Sequence, residues 1–447
     1  MDRPRREVPA ASGPGTPDAG RQGSAGSRRP WGTVVAFGLV SLATDVVSDG
    51  ARPLAGPLLA QLGASALLVG LVTGGAEAAS QGLRLVFGPW ADRTHRYWSF
   101  TIAGYALTAV CVPLLAAAPA TGTAGLVLAS VLIIGDRVGK AVRSPAKTVL
   151  LASAAKGVGR GRGFAVHKSL DLTGALLGPV IVAAVLAATG MLSAAFAVLA
   201  VPATAALALL LWLRRRVAGP GGGTVVDGGT GDGSIVDGGP VADGGATVVG
   251  SGTAGGEGAA PGPAPSLFTR DFLLFAVSAF FWSAGLVAFG VISYHLTTEA
   301  DLPVAVVPLL YAGAMAAAVF GTLASGFLYD RVGGAVLLAL PVLIAAVPVL
   351  AFSTGLVLIL AGVAIWGAAT GIQDSTVKAL IADLVPEARQ GSAYGVFAAF
   401  EGAGALAGGA LYGALYSDSP ALTAAVAALQ LAALVLLLRT VRQARAA

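Results

Sequence analysis

The sequence predicts an all-α membrane protein of twelve transmembrane helices, arranged as two pseudo-symmetric six-helix bundles. Three observations predict it. Hydrophobic residues make up 55% of the 447 and charged residues only 11%, with a mean hydropathy of +0.79, where a soluble chain carries roughly a quarter charged residues. The apolar residues fall in runs of about 20 or more, enough to cross a ~30 Å hydrocarbon core. Every second turn between those runs lacks Lys and Arg. The 63 glycines lie mostly inside the apolar runs, which excludes a Gly-rich disordered chain and suits close helix approach.

In chain order, residues 1–30 form a basic, polar tail with no apolar segment ahead of a cleavage site, so it is not an ordinary signal peptide. Arg28-Arg29 before Trp31 reads as the basic flank of a first span rather than a twin-Arg signal. Spans follow near 33–60, 67–90, 98–118, 123–150, 163–189 and 192–213, the N-terminal bundle of 31–213. A second set lies near 268–297, 304–329, 334–352, 355–383, 391–416 and 420–438, the C-terminal bundle of 267–438. Several exceed the bilayer thickness and should tilt or project. Between the bundles, 214–266 is Gly-rich, acidic and repetitive and ends in PGPAP: a disordered cytoplasmic linker. Its irregularly spaced Asp227, Asp232, Asp237 and Asp243 fit a linker better than a calcium repeat. A short tail, 439–447, closes the chain.

The turns after spans 1, 3, 5, 7, 9 and 11 carry no Lys or Arg, whereas Arg93, Arg96, Lys156, Arg160, Arg162, Arg214–Arg216, Arg270, Arg331, Arg389 and Arg439 lie on the other side. That parity predicts a multi-pass protein of the cell (plasma or inner) membrane with both termini cytoplasmic. The halves also repeat each other. GPWADR (88–93) matches GFLYDR (326–331), and FAVHKSLDLTGALLG (164–178) matches YGVFAAFEGAGALAG (394–408) at an offset of 230, which sets Asp171 against Glu401. Six-span repeats place a binding site between the repeats, near the midplane.

Cys111 is the only cysteine, which excludes an internal disulfide and a Cys-based metal site. The net charge of +5 belongs to the turns and tails, not to a nucleic-acid surface. No nucleophile–base pairing, metal-ligand cluster or phosphate loop appears, and GTAGGEG in the linker has no strand or helix around it. An enzyme, a metal and an organic cofactor are therefore not expected.

Charges inside apolar spans are costly unless they face a partner or a water-filled cavity. Asp136, Lys140 and Arg143 at i, i+4 and i+7 share one helical face about 60° wide, and His167, Asp171, Gly174 and Gly178 line another. Asp45, Asp49 and Arg52 repeat the spacing in span 1, and Glu77, Gln81 and Arg84 in span 2. At 1.5 Å per residue, Asp45 lies ~18 Å into its span, Glu77 ~15 Å from the outer end, and Asp171 ~12 Å from the cytoplasmic end, with Asp136 at similar depth. Asp136–Lys140 and Asp374–Lys378 are spaced to neutralise each other, and Asp49–Arg52 to pair near the outer end. Asp45, Glu77 and Asp171 lack an opposite charge at equal depth in their own span, and Glu401 stands alone in span 11. These four carboxylates are the proton-coupling candidates. His167 has the side-chain type that switches charge near neutral pH, though beside Lys168 it is as readily a pairing residue. His295 receives no role. Charge is concentrated in spans 1, 2, 4 and 5, so coupling is expected in the N-terminal half. The C-terminal half offers aromatics: Phe280, Phe281, Trp282, Phe289, Tyr294, Tyr311, Trp366, Phe397 and Phe400. An acidic and aromatic pocket suits a lipophilic, cationic compound; the basic set Arg52, Arg84, Lys140, Arg143 and Lys168 suits an anion.

The turn Gly88-Pro89-Trp90-Ala91-Asp92-Arg93-Thr94-His95-Arg96 is similar to the loop 2–3 motif of the major facilitator superfamily, departing at Thr94-His95 and at Tyr97. Gly326, Asp330 and Arg331 keep its core a second time. Arg137 falls where that family's span-4 motif has its Arg. Gly174, Gly178 and Pro179 resemble the span-5 motif of exporters that exchange cargo for protons, with Val182-Ala183 in place of the final Gly pair. The resemblance covers about residues 31–440. It implies two bundles rocking about a central cavity, with Asp92, Arg93 and Arg137 bracing helices at the cytoplasmic gate. The expected function is proton-coupled efflux of a small organic molecule by a monomer in the lipid bilayer, with the proton gradient as energy source. The alternatives are uptake or facilitated movement of an organic anion, and a non-transporting sensor or scaffold. Buried carboxylates weigh against the last.

Overall fold

The computed structural model describes residues 28–217, 269–386 and 389–446. The segment predicted to be a linker therefore lies almost wholly outside the described residues. The first half runs α1 (Arg28–Ala51), a 3-10 turn (Arg52–Leu54), α2 (Ala55–Gln61), α3 (Ala66–Gly82), α4 (Arg84–Thr94) and α5 (Tyr97–Leu114). A 3-10 stretch (Leu115–Ala124) leads to α6 (Gly125–Ala155), α7 (Arg160–Thr189), α8 (Leu192–Val198) and α9 (Ala200–Val217). The second half runs α10 (Arg270–Gly285), α11 (Phe289–Thr298), α12 (Val307–Val332), a 3-10 stretch (Gly333–Leu338) and α13 (Ala339–Ala351). It closes with α14 (Leu356–Leu384), α15 (Gln390–Ala414) and α16 (Ser419–Ala446).

Eight stretches among the described residues are long and apolar enough to cross a membrane: Trp31–Gln61, Tyr97–Ala155, Gly161–Thr189, Leu192–Val217, Arg270–Thr298, Val307–Ala351, Leu356–Leu384 and Ser419–Arg442. Two of them are interrupted by glycines in conformations that side chains disfavour. Gly122 (φ 60°, ψ −130°) separates α5 from α6, and Gly333 (φ 63°, ψ −151°) ends α12. α5 and α6 then pack antiparallel, Gly104 against Gly139 and Arg143, and Gly135 against Cys111.

The first helical run of each half is broken. Pro53 has no N–H to give Asp49, so the helix tightens to a 3-10 turn before α2 resumes. Between α10 and α11, Leu286 (φ −86°, ψ 85°) and Ala288 (φ −62°, ψ 139°) leave the helix. The backbone carbonyls there find side-chain donors, as a chain in lipid requires. Tyr412 Oη donates to Gly285 O at 2.8 Å, Trp366 Nε1 to Val287 O at 2.8 Å, and Gln430 Nε2 to Phe281 O at 3.2 Å.

The internal repeat is visible in the packing. Gly174 and Gly178 of α7 lie on the backbone of α1 at Leu42 and Val46, while Gly404 and Gly408 of α15 lie on α10 at Phe280 and Ala284. The two pairs are 230 residues apart, the offset read from the sequence. The halves meet along α3 and α15, antiparallel and backbone to backbone at Gly70–Gly409 and Gly74–Ala405, and at α2–α11 through Gly56 and Gly290.

The buried core is divided unevenly. At the end whose turns lack Lys and Arg, one cluster runs through both halves, from Leu58, Val69 and Leu132 to Phe289, Tyr311 and Trp366. At the basic end there are two separate cores. Val34, Phe37, Trp98 and Leu151 belong to the first half; Phe272, Leu337, Ile381 and Phe397 belong to the second. The core is fused at one end and split at the other, where α4 and α15 still touch at Leu85 and Gly395.

Candidate functional site

Where the fused core begins, the break in the first helical run turns Arg52 toward three acceptors. Arg52 Nη2 pairs with Glu77 of α3, Nη1 donates to Tyr311 Oη at 3.3 Å, and Asp49 lies 3.8 Å away. Tyr311, on α12 of the other half, donates to Asp49 Oδ1 at 3.1 Å. Arg137 extends the network to Glu77 at 3.9 Å and Asp136 at 3.7 Å, and Ser48 donates to Asp136 at 3.0 Å. Carboxylate and guanidinium residues of the first half are thus tied to a hydroxyl of the second. A cavity of about 40 Å³ lies among Ser48, Arg52, Thr73, Glu77, Asp136 and Phe289. At roughly 10–15 Å³ per water, it holds only a few solvent molecules.

Toward the basic end a second cluster fills the space between α1, α5, α6 and α7. Ser41 Oγ is 3.1 Å from Tyr105 Oη, 3.4 Å from His167 Nε2 and 3.3 Å from Lys147 Nζ, which donates to it. Arg143 donates to Thr108 Oγ1 at 2.7 Å and lies 5.1 Å over the Tyr105 ring. His167 Nε2 is 3.6 Å from Asp171 Oδ1. All of these groups are buried; Asp45 and Lys140, which border them, are half-buried. In the second half, Gln373 Nε2 donates to Glu401 Oε1 at 2.8 Å. Arg84 reaches this region from α4, its neighbour Leu85 packing against Gly395 of α15.

Several expectations are corrected. Asp136 does not pair with Lys140: Ser48 and Arg137 engage it instead. Glu77, which has no partner in its own span, takes two arginines from other helices. Arg137 is buried midway along α6, not at the basic end where a gate brace would sit. Lys168 is exposed, unlike its buried neighbour His167. Asp374 is exposed too.

The repeated loop motifs do lie at the split, basic end, but each contacts its own half. Asp92, Arg93 and Arg96 are exposed, with Asp92 accepting from Tyr97 Oη at 3.2 Å; Gly88 faces Pro145 of α6. Gly326, Asp330 and Arg331 are exposed, Arg331 lying 4.3 Å over Phe327, and Tyr329 donates to Asp383. The aromatic wall is mostly packing. Phe289, Tyr311 and Trp366 pack edge-on or tilted with centroids 4.8–6.4 Å apart inside the fused core, and of these only Phe289 lines the cavity. His295 is a structural tie, Nδ1 3.1 Å from Tyr416 Oη and Nε2 3.2 Å from Ser353 O.

Lys147, Ser41, Tyr105 and the hydroxyl of Tyr311 were not singled out as site residues. Lys147 was findable: it extends the stripe Asp136, Lys140, Arg143 by four residues on the same face. Ser41 likewise precedes Asp45 by four. Tyr311's bond to the other half carries no local signal.

The family model of the Major Facilitator Superfamily matches residues 35–228 and 272–447. A protein of Mycobacterium tuberculosis described as uncharacterized is 47% identical over 418 residues, covering 92% of this chain and 94% of its own. An uncharacterized MFS-type transporter of Methanocaldococcus jannaschii is 28% identical over 146 residues, covering 32% of this chain and 35% of its own. Among solved structures, the nucleoside transporter NupG matches with a TM-score of 0.62 at 10% identity, over 91% of this chain and 98% of its own. A bacterial homologue of the lysosomal transporter Spinster, inward-facing and unoccupied, matches at 0.61 and 14% identity, over 95% and 96% of the two chains. With the fold, the repeat and the family match in agreement, this chain belongs to the major facilitator superfamily and is a membrane transporter, not an enzyme.

Proposed function

We propose that the protein is a twelve-span secondary active transporter of the cell membrane, both termini cytoplasmic, that exports a small organic molecule in exchange for protons by alternating access. The observation that carries this reading is the core, fused at the Lys/Arg-free end and split at the basic end, with the Asp49–Arg52–Glu77–Tyr311 network at the junction. The split end faces the cytoplasm and admits cargo. Opening the other end requires Tyr311 to leave Asp49 and Arg52. A proton arriving on a carboxylate of the first half, Asp45 or Asp171, changes the charge that the neighbouring cations balance and so biases which end opens. Export, rather than uptake, rests on the Gly174–Gly178–Pro179 motif. The protein works as a monomer and needs no cofactor beyond the proton gradient.

Reconstitution in vesicles with an internal pH dye tests this. Cargo-dependent proton movement is expected in the wild type, lost in Asp45→Asn or Asp171→Asn. Cargo flux with no proton movement would return those carboxylates to structural roles. A chain that moves nothing under any gradient would be a sensor or scaffold. A second reading, uptake or facilitated movement of an organic anion, is favoured by Arg143, whose partners among the described residues are a hydroxyl and an aromatic ring. It predicts flux that persists after the proton gradient is collapsed.

A further inference from the structure

The cluster beneath Asp45 and Lys140 buries a guanidinium against neutral partners. Around the Ser41–Tyr105 hydroxyl pair gather Lys147 and Arg143 from α6 and His167 from α7. Five donor-bearing side chains from four helices converge on one point. Arg143 is 5% exposed, yet the partners holding it are neutral: a hydroxyl and a ring face. Burying a guanidinium without a paired anion is strongly unfavourable. The buried carboxylate nearby, Asp171, approaches His167 rather than Arg143. The contacts around Ser41 are also long: 3.1 Å to Tyr105 Oη against about 2.7–2.8 Å for a well-made O–H···O bond, and 3.3–3.4 Å to the two nitrogens against about 2.9–3.0 Å for N–H···O. Among the described residues no carboxylate pairs with the guanidinium of Arg143. A planar or tetrahedral oxyanion would supply the anion, with Arg143 as its fork-shaped partner.

We infer that Ser41, Tyr105, Arg143, Lys147 and His167 form the subsite that takes an anionic oxygen group of the cargo, a carboxylate or a phosphate. Lys140 and Asp45, half-buried at its border, lie on its inner side, toward the fused core. The assignment gives the transported compound a charge class and holds for either direction of transport. It rests on the transporter reading for the word cargo, but its test does not.

The test is thermal unfolding of the full chain in nanodiscs, titrated with succinate and with inorganic phosphate, against sodium chloride at matched ionic strength. A saturable rise in Tm with one of the two anions is expected, and which one responds separates carboxylate from phosphate. Arg143→Gln should weaken the response at least tenfold, with Arg143→Lys partly restoring it. Thr108→Val, which leaves every charge in place and removes the hydroxyl that aims Arg143, should weaken it less. It also serves as the folded control if Arg143→Gln does not fold. No saturable response to either anion, or an Arg143→Gln or Thr108→Val protein that binds as the wild type does, would overturn the subsite. Anion binding without flux in vesicles would overturn the transport reading and leave the subsite standing; cargo-dependent proton movement without anion binding would do the reverse.

Discussion

Arg52 shows how much a single buried charge depends on partners that lie far away in the chain. Its spacing from Asp49 is local, and the sequence announces that pair. Glu77 and Tyr311, 25 and 259 residues distant, complete its surroundings, and no periodicity points to them. Glu77→Gln should therefore destabilise the protein by about 3–5 kcal/mol, because it leaves two guanidinium groups without their shared carboxylate. The double change Arg52→Gln with Glu77→Gln should recover part of that loss. Thermal unfolding in detergent reads both; an additive double mutant would show that the pair is not coupled. Candidate residues were thus legible by type and helix face. Their pairings were not, because those are set by how the helices pack.

Helices carry the glycine motifs, and the glycines divide into two kinds. A methyl group at Gly178 would meet the backbone of Val46 and Gly50, whereas at Gly326 it would meet nothing within 4 Å. Gly178→Val should therefore push α7 off α1 and cost at least ~2–3 kcal/mol, as overpacking does. Gly326→Ala should be neutral or stabilise by roughly 0.5–1 kcal/mol, as Gly to Ala in an exposed helix does. Equal losses of Tm in both would refute the distinction. The repeat offset of 230 was legible from the match of 164–178 with 394–408, whose paired glycines mark where two backbones meet. The breaks at Arg52–Leu54 and Leu286–Ala288 were less so. Pro53 marks the first, but no proline marks the second, where Tyr412, Trp366 and Gln430 take over the backbone.

At the scale of the whole molecule, the question is what holds the fused end shut. Tyr311 joins the halves through its hydroxyl, so Tyr311→Phe should keep the packing and remove the tie. Thr73, buried against Gly290 beside the small cavity, reports the opening. A Thr73→Cys protein should react slowly with a membrane-impermeant thiol reagent supplied from the Lys/Arg-free side, and several-fold faster once Tyr311→Phe is added. Cys111, the only native thiol, is buried and contributes little background. An unchanged rate would mean that apolar packing, not the hydroxyl, closes that end. Composition and the charge parity of the turns made the fold class legible. The closed end was not, because it depends on how the two halves meet around Tyr311.

The contact between α3 and α15 has a mechanical consequence. At Gly70–Gly409 the two helices touch through main-chain atoms, with no rotamers to unlock and no knobs to lift from holes. Such a surface resists separation but hardly resists turning. In the proposed alternating-access cycle it would act as a bearing, with the charged latch at Arg52 and Tyr311 setting when the halves turn.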